Sequence, residues 1–174
     1  LFMLCHPHNP VGTLFTEKEL RLLIEWSLKR NLYLCSDEIH CDLVLEKELR
    51  HIPPASLDQE IAERTITLMA PSKTFNIAGF GCSFAVIQNP ALRVKFKKAA
   101  KGIVPDPPAM GFLLADAAYR EGEPWRMELL KYLKGNRDFA MTQLSRMDGL
   151  LPHSPQATYL LSLIHISEPT RPLY

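Results

Sequence analysis

The sequence predicts an α/β fold in which helices flank a mainly parallel sheet. Short apolar runs with the length of buried strands alternate with segments of helical periodicity, and a strand–helix–strand order implies parallel pairing through right-handed crossovers. Three polar residues, Asn9, Asp37 and Lys73, each follow an apolar run. Because ligands of parallel sheets collect beyond the carboxyl ends of the strands, this shared placement is an independent indication of the same fold class.

The first strand–helix–strand unit occupies the beginning of the chain. Leu1–Cys5 is an apolar run that predicts a buried strand, and a turn rich in Pro, Asn and Gly follows it. Thr16 is the predicted N-cap of a helix, since charged residues and then apolar residues at helical spacing come after it. Asn31 ends this helix, and Leu32–Ser36 is the second predicted strand, with Asp37 at its carboxyl edge.

A loop and two further strands come next. The Pro-Pro pair within Leu43–Leu57 indicates a loop, and Glu60–Arg64 is predicted to form a helical turn. Thr65–Ala70 and Ser83–Gln88 have the apolar and β-branched composition of strands.

From residue 90 onward the periodicity becomes helical. Helices are predicted at Pro90–Lys101, Ala109–Arg120 and Glu123–Met147. Gly149–Leu160 is predicted to be a loop and the beginning of a new strand.

The composition is that of an ordinary globular domain, with 174 residues, 47% of them hydrophobic and 22% charged, and a net charge of +1. This balance indicates neither a nucleic acid nor an anionic membrane surface as partner. No apolar stretch approaches the roughly 18 residues of a membrane span. The four cysteines form no C-x-x-C pair, which favours structural thiols in a reducing, cytoplasmic setting.

The residues that follow the strands supply an amide, a carboxylate and an amine. This set can hold pyridoxal phosphate (PLP), which needs a lysine for a Schiff base and an anionic partner for its pyridinium nitrogen. A metal site built from the Cys and His residues of 5–8 and 35–41 is disfavoured, because their spacing matches no usual zinc pattern. A hydrolase built from Ser36, His40 and Asp42 lacks a nucleophile elbow.

With these residues in view, the chain resembles the fold-type I PLP enzymes of the class I/II aminotransferase superfamily. Within that superfamily it is most similar to the cystathionine β-lyase-type C–S lyases, from about residue 1 to about residue 160. The stretches that carry the resemblance are His8–Gly12, Ser36–Leu43, Leu68–Asn76 and Gly122–Trp125. The fold that it implies is the large domain of a PLP-dependent transferase, in incomplete form.

The resemblance also implies a role for each site residue. Lys73 would form the Schiff base with PLP and later move the Cα proton of the substrate. Asp37 would keep the pyridine nitrogen protonated, and Asn9 would donate a hydrogen bond to the phenolic oxygen of the cofactor. His40 stands where many relatives have a tyrosine and would lie near the same oxygen, with a purely structural histidine as the alternative.

Two positions depart from the family pattern around the cofactor phosphate. Ala70 stands where relatives often have a serine, and Gly81 stands where an arginine is expected. Phosphate binding would therefore depend on Ser72 or on groups elsewhere in the protein.

The same resemblance divides the chain. Residues 1–148 correspond to part of the PLP-binding large domain with its following helices, and residues 149–160 to the start of a C-terminal small domain. Residues 161–174 instead resemble the in-frame translation of a transposase adapter used for sequencing libraries, so Arg171 is not taken as the arginine that binds a substrate carboxylate. Relatives are homodimers, so a homodimer with exposed apolar surface is expected.

The predicted activity is that of a PLP-dependent C–S lyase. It would carry out β-elimination on cystathionine or another cysteine conjugate, giving a thiol, pyruvate and ammonia. A PLP-dependent aminotransferase that uses the same early steps is one alternative. The other is that the isolated chain is a catalytically inactive fragment of such an enzyme.

Overall fold

The computed structural model describes residues 1–162. These residues form the strands β1 (Phe2–Cys5), β2 (Leu34–Asp37), β3 (Thr65–Met69) and β4 (Phe84–Val86). They also form the helices α1 (Glu17–Lys29), α2 (Gln59–Ala62), α3 (Pro90–Ala100), α4 (Ala109–Glu121) and α5 (Glu123–Leu144). Short 3₁₀ turns lie at Pro54–Ser56 and Ala78–Phe80.

The strands form one mixed sheet in the order β1-β2-β3-β4. The pairs β1–β2 and β2–β3 are parallel, which confirms the predicted α/β fold with a mainly parallel sheet. β4 runs antiparallel to β3. A parallel partner requires a crossover connection that is usually helical, whereas the chain between β3 and β4 contains only turns and a 3₁₀ segment.

Helix α1 begins and ends as its sequence signals predict. Thr16 and Glu19 form a capping box in which each side chain accepts a hydrogen bond from the other's backbone N–H. At the other end, Asn31 adopts a left-handed conformation with φ of 54°, and the Leu32 N–H donates to Ser27 O at 3.0 Å. This Schellman-type ending uses Leu32 for the helix cap. β2 therefore begins at Leu34 rather than at the predicted Leu32.

Burial of α1 against the first strands forms the core. Apolar side chains from α1, α2, β1 and β2 pack together in one cluster, consisting of Leu4, Leu20, Ile24, Leu34 and Ile61. Burying side chains of this size stabilises the fold by about 1.5–3 kcal/mol each. The opposite face of the sheet is more open, since Met3 of β1 is 73% exposed. The first strand–helix–strand unit is thus held mainly by one helix on one face.

The remaining helices form as predicted, with small shifts at their ends. Asp58 caps α2 by accepting a hydrogen bond from the Ile61 N–H, so this helix begins and ends slightly before the predicted turn. α5 ends at Leu144 rather than Met147. Within residues 1–162, no helix combines the length and the apolar character needed to cross a bilayer.

The segment from Pro155 to Thr158 packs against the beginning of the chain. Ala157 forms an isolated antiparallel bridge with Val44, where the sequence predicts the beginning of a strand. The N–H groups of Gln156 and Ala157 both donate to Gly12 O, at 2.8 and 3.0 Å. The turn after β1 is therefore closed by a segment from the far end of the described chain.

Gly12 is the closest point of this contact and gives a direct test of it. Its φ is +73°, and a Cβ at this position would lie 2.6 Å from Ala157 O and would collide with the Pro155 side chain. We expect Gly12→Ala to destabilise the protein by about 2 kcal/mol, because a left-handed backbone and a close contact both disfavour a side chain. The melting temperature of the complete gene's product would fall by several degrees.

Gly79→Ala is the matched control, since a Cβ at Gly79 would meet no atom within 4 Å. Equal melting temperatures for the two variants would contradict the close packing of Gly12 against Pro155 and Ala157.

Candidate active site

The carboxyl ends of the three parallel strands meet at one edge of the sheet. Cys5, Asp37 and Leu68 are partners across β1, β2 and β3, so the three strands end at the same level. Asp37 is the last residue of β2, and Asn9 and Lys73 lie in the turns that directly follow β1 and β3. The topology thus places the three predicted site residues at one edge.

Local hydrogen bonds shape the turn that carries Asn9. The Asn9 N–H donates to Cys5 Sγ at 3.4 Å, and the Gly12 N–H donates to His8 O at 2.7 Å. The His8 N–H donates to Thr13 O at 2.9 Å, which closes the loop from the other side. Asn9 itself is exposed, so its amide is open to a ligand.

The carboxylate of Asp37 is held by the backbone that follows it. The Ile39 N–H donates to Asp37 Oδ1 at 3.2 Å, and the His6 N–H donates to the backbone O of Asp37 at 2.9 Å. Asp37 is half-buried, which keeps its side chain accessible from the carboxyl edge.

Lys73 lies in a turn that an aromatic cluster attaches to the helices. The Phe75 N–H donates to Pro71 O at 2.9 Å within this turn. The ring of Phe75 packs on Tyr119 of α4 and Trp125 of α5, with centroid distances of 6.0 and 6.1 Å. Lys73 is exposed, and the neighbouring Ser72 is half-buried.

Gly122 lets Phe75 reach this position, since a Cβ at Gly122 would lie 2.5 Å from the Phe75 ring. The small residue between α4 and α5 thus helps to hold the turn of Lys73 in place.

His40 is the buried member of the site, with 2% of its surface exposed. Burial lowers the pKa of His40; the carboxylate of Asp37 opposes this shift and the charge of Lys73 adds to it. The lowered pKa keeps the imidazole neutral at pH 7. Neither of its ring nitrogens has a hydrogen-bond partner among the described residues. The buried imidazole thus has two polar atoms that the described residues leave unsatisfied.

Sequence reasoning missed two neighbours of this site. The ring of Tyr159 packs edge-on against His40, with a centroid distance of 5.8 Å. Thr74, next to Lys73, has a buried hydroxyl without a partner in the part of the chain that the structure describes. Adjacency to Lys73 could have drawn attention to Thr74, whereas no sequence signal connects Tyr159 with His40.

The other nucleophiles at this edge are not activated. Burial and the charges of Asp42 and Glu38 raise the pKa of Cys41 to about 12, so its thiol stays protonated at neutral pH. Ser36 Oγ makes no hydrogen bond to His40 or to any other described residue. Ser36 and His40 thus do not form the serine–histidine contact that a hydrolase would require.

The donor set fits PLP. Lys73 provides an amine, Asp37 a carboxylate that could pair with a pyridinium nitrogen, and Asn9 an exposed amide. His40, three residues after Asp37, adds a buried imidazole whose nitrogens have no partner among the described residues. A cofactor that presents a ring nitrogen, an aldehyde and a phenolic oxygen would meet a complementary group for each.

Comparison with known proteins identifies the family. Residues 1–170 match the family model described as aminotransferase class I and II. The chain is 37% identical over 168 residues to the cystathionine β-lyase PatB of Bacillus subtilis, covering 94% of this chain and 42% of PatB. The chain therefore spans less than half the length of this curated relative.

Two solved structures share the fold. The crystal structure of OvoB is 50% identical, with a TM-score of 0.88 over 90% of this chain and 41% of OvoB. A PLP-bound putative aminotransferase from Clostridium difficile is 41% identical, with a TM-score of 0.87 over 92% of this chain and 42% of that protein. The family match over nearly the whole chain and the matching fold agree with the site geometry, and the chain belongs to the aminotransferase class I and II family.

Proposed function

We propose that this chain is part of a PLP-dependent C–S lyase that performs β-elimination on cystathionine or a related cysteine conjugate. The observation that carries the proposal is the shared carboxyl edge of the sheet, where Asp37 ends β2 and Asn9 and Lys73 follow β1 and β3. The similarity to PatB, a cystathionine β-lyase, favours C–S cleavage as the reaction. The similarity to a PLP-bound protein supports the cofactor.

Each site residue has a defined task in this proposal. When bound, PLP supplies the electron sink that stabilises negative charge at the substrate Cα. Lys73 would attach the cofactor covalently, and once the amine of the substrate has displaced Nζ, that free amine would accept the proton from Cα. Asp37 holds a proton on the pyridine nitrogen, because an opposite charge nearby favours the protonated ring. Asn9 and His40 would contact the phenolic oxygen, and Ser72 would be the phosphate-binding residue of this turn.

The proposed β-elimination needs no added oxidant or reductant. Loss of the Cα proton is followed by cleavage of the Cβ–S bond, whose electron pair leaves on sulfur while a Cα–Cβ double bond forms. The sulfur takes up a proton and departs as a thiol. Water then converts the remaining three-carbon enamine into pyruvate and ammonia.

An aminotransferase is the second candidate, because a PLP-bound putative aminotransferase is 41% identical to this chain. The two reactions share removal of the Cα proton by Lys73 and differ in whether the bond to sulfur breaks. The product of the complete gene should therefore be incubated with cystathionine, with and without an added keto acid. Pyruvate and homocysteine in equal amounts without keto acid support the lyase, whereas turnover only with keto acid supports the aminotransferase.

The isolated 174-residue chain is proposed to be inactive. Lys73 and Asn9 are exposed, and the chain covers only 42% of the length of PatB.

We further propose that the whole protein is a homodimer, because large apolar side chains on α3, α4 and α5 are exposed and need a surface that covers them. Those side chains include Val94, Phe112, Leu113, Tyr132 and Phe139. Size-exclusion chromatography with light scattering would test the dimer.

A further inference from the structure

A buried cluster of ionisable side chains lies next to the candidate site and has no part in the proposed chemistry. It consists of Glu38, His51 and His6. Glu38 is 1% exposed and His6 is fully buried, and the side chain of His51 is 10% exposed. Glu38 Oε2 and His51 Nε2 are 2.6 Å apart, and the rings of His51 and His6 pack with centroids 4.6 Å apart.

The contact between Glu38 and His51 requires a shared hydrogen. At 2.6 Å a carboxyl oxygen and an imidazole nitrogen form a short hydrogen bond. Glu38 Oε1 has no partner among residues 1–162, so His51 supplies the one side-chain contact that compensates this buried carboxylate there. Removal of His51 would leave Glu38 buried and unpaired, which is strongly unfavourable.

His6 completes the cluster as a neutral ring. Burial and the charge of His51 lower the pKa of His6 to about 4, so His6 is uncharged at pH 7. Its Nδ1 accepts a hydrogen bond from the Phe15 N–H at 3.4 Å. A neutral ring can pack against His51 without repulsion, and it connects the Glu38 pair to the turn after β1.

The three residues are joined through the backbone to the strand ends that carry the site. Glu38 directly follows Asp37, and its N–H donates to Leu68 O at 2.9 Å, which continues the pairing with β3. The His6 N–H donates to Asp37 O at 2.9 Å, which continues the pairing with β1. Since neighbouring side chains in an extended chain alternate between faces, Glu38 is directed away from the face of Asp37.

We propose that Glu38, His51 and His6 are positioning residues for the cofactor, which fix the ends of β1 and β2 so that Asn9 and Asp37 face PLP. This inference rests on the proposed roles of Asn9 and Asp37. It assigns a function to a buried polar pair, which an apolar cluster of equal size can often replace without loss of stability.

The test uses Glu38→Gln, His51→Asn and the double variant in the complete gene's product. Each single change is expected to raise the Kd for PLP about tenfold, an effect typical of residues that orient ligand-binding groups without contacting the ligand. The pH at which the absorbance of the bound cofactor titrates is expected to shift as well, because Asp37 and Asn9 would no longer be held in place. The double variant should fall short of the product of the two single effects, since both remove the same contact.

Two controls separate positioning from general stability. Ile24→Val removes a methyl group from the core around α1 and should lower the melting temperature while leaving the Kd and the absorbance titration unchanged. His153→Asn replaces an exposed histidine and should change none of these quantities. If His51→Asn does not fold, His51→Gln, which retains a polar group, takes its place beside Glu38→Gln.

The inference would be overturned if the Glu38 and His51 variants have a lower melting temperature but the same Kd for PLP and the same absorbance titration as the wild type. Borohydride reduction and peptide mapping distinguish this failure from failure of the proposed function. A label on Lys73 with unchanged binding refutes only the positioning role. A label on another lysine refutes the site assignment itself.

Discussion

Replacement of Lys73 by alanine is expected to abolish turnover in the complete gene's product, with a loss of at least about 10⁴-fold in kcat/KM. Lys73 is the amine that follows β3 at the shared edge of β1, β2 and β3. Its loss removes both the covalent attachment of the cofactor and the group that accepts the Cα proton. Rates of pyruvate formation and mass mapping after borohydride reduction measure the two roles separately.

Two comparison variants sharpen this prediction. Lys73→Arg should be equally inactive, because a guanidinium remains protonated at neutral pH and cannot attach to the cofactor or accept a proton. Lys98→Ala, at an exposed position of α3, should retain wild-type activity. More than about one hundredth of wild-type activity in Lys73→Ala would contradict the assignment, since a single general base contributes 10²- to 10⁴-fold.

Asp37→Asn is expected to lower kcat by about 10²-fold or more. The carboxylate of Asp37 raises the pKa of the pyridine nitrogen in the proposed site, and without it the ring would lose its proton and accept electrons less well. Asparagine has nearly the same shape, so the hydrogen bond from the Ile39 N–H to the side-chain oxygen can be retained. The loss would therefore report the charge rather than the fold. The kcat for cystathionine and the absorbance spectrum of the bound cofactor are the measurements.

Asp106→Asn, at an exposed position before α4, is the control and should behave like the wild type. Unchanged kcat in Asp37→Asn would show that a group other than Asp37 controls the protonation of the ring.

The order of strands and helices could be predicted because it depends on local patterns. Capping residues such as Thr16 and apolar residues at helical spacing act within one element. Where the prediction failed in detail, a tertiary or backbone effect was responsible. The left-handed conformation of Asn31 moved the start of β2, which the sequence pattern had placed at Leu32.

The candidate site could be predicted in part for the same reason. Asn9, Asp37 and Lys73 follow strands whose parallel order fixes a common edge, so their grouping follows from topology. The contact of Tyr159 with His40 joins residues from distant parts of the chain, and no pattern in either segment encodes it. The roles of the grouped residues remain predictions until the variants are measured.

The long-range contact at Gly12 has a consequence for how the protein is made. The Leu14 N–H donates to the side chain of Gln156, 142 residues later in the chain. Synthesis proceeds at about 5–20 residues per second, so roughly 7–28 seconds pass between the synthesis of the turn that carries Asn9 and that of Gln156. During that interval α1 and the first strands can already assemble, whereas the contact of residues 156 and 157 with the turn after β1 cannot yet form. We therefore expect cofactor binding at this edge only after residue 156 has been synthesised.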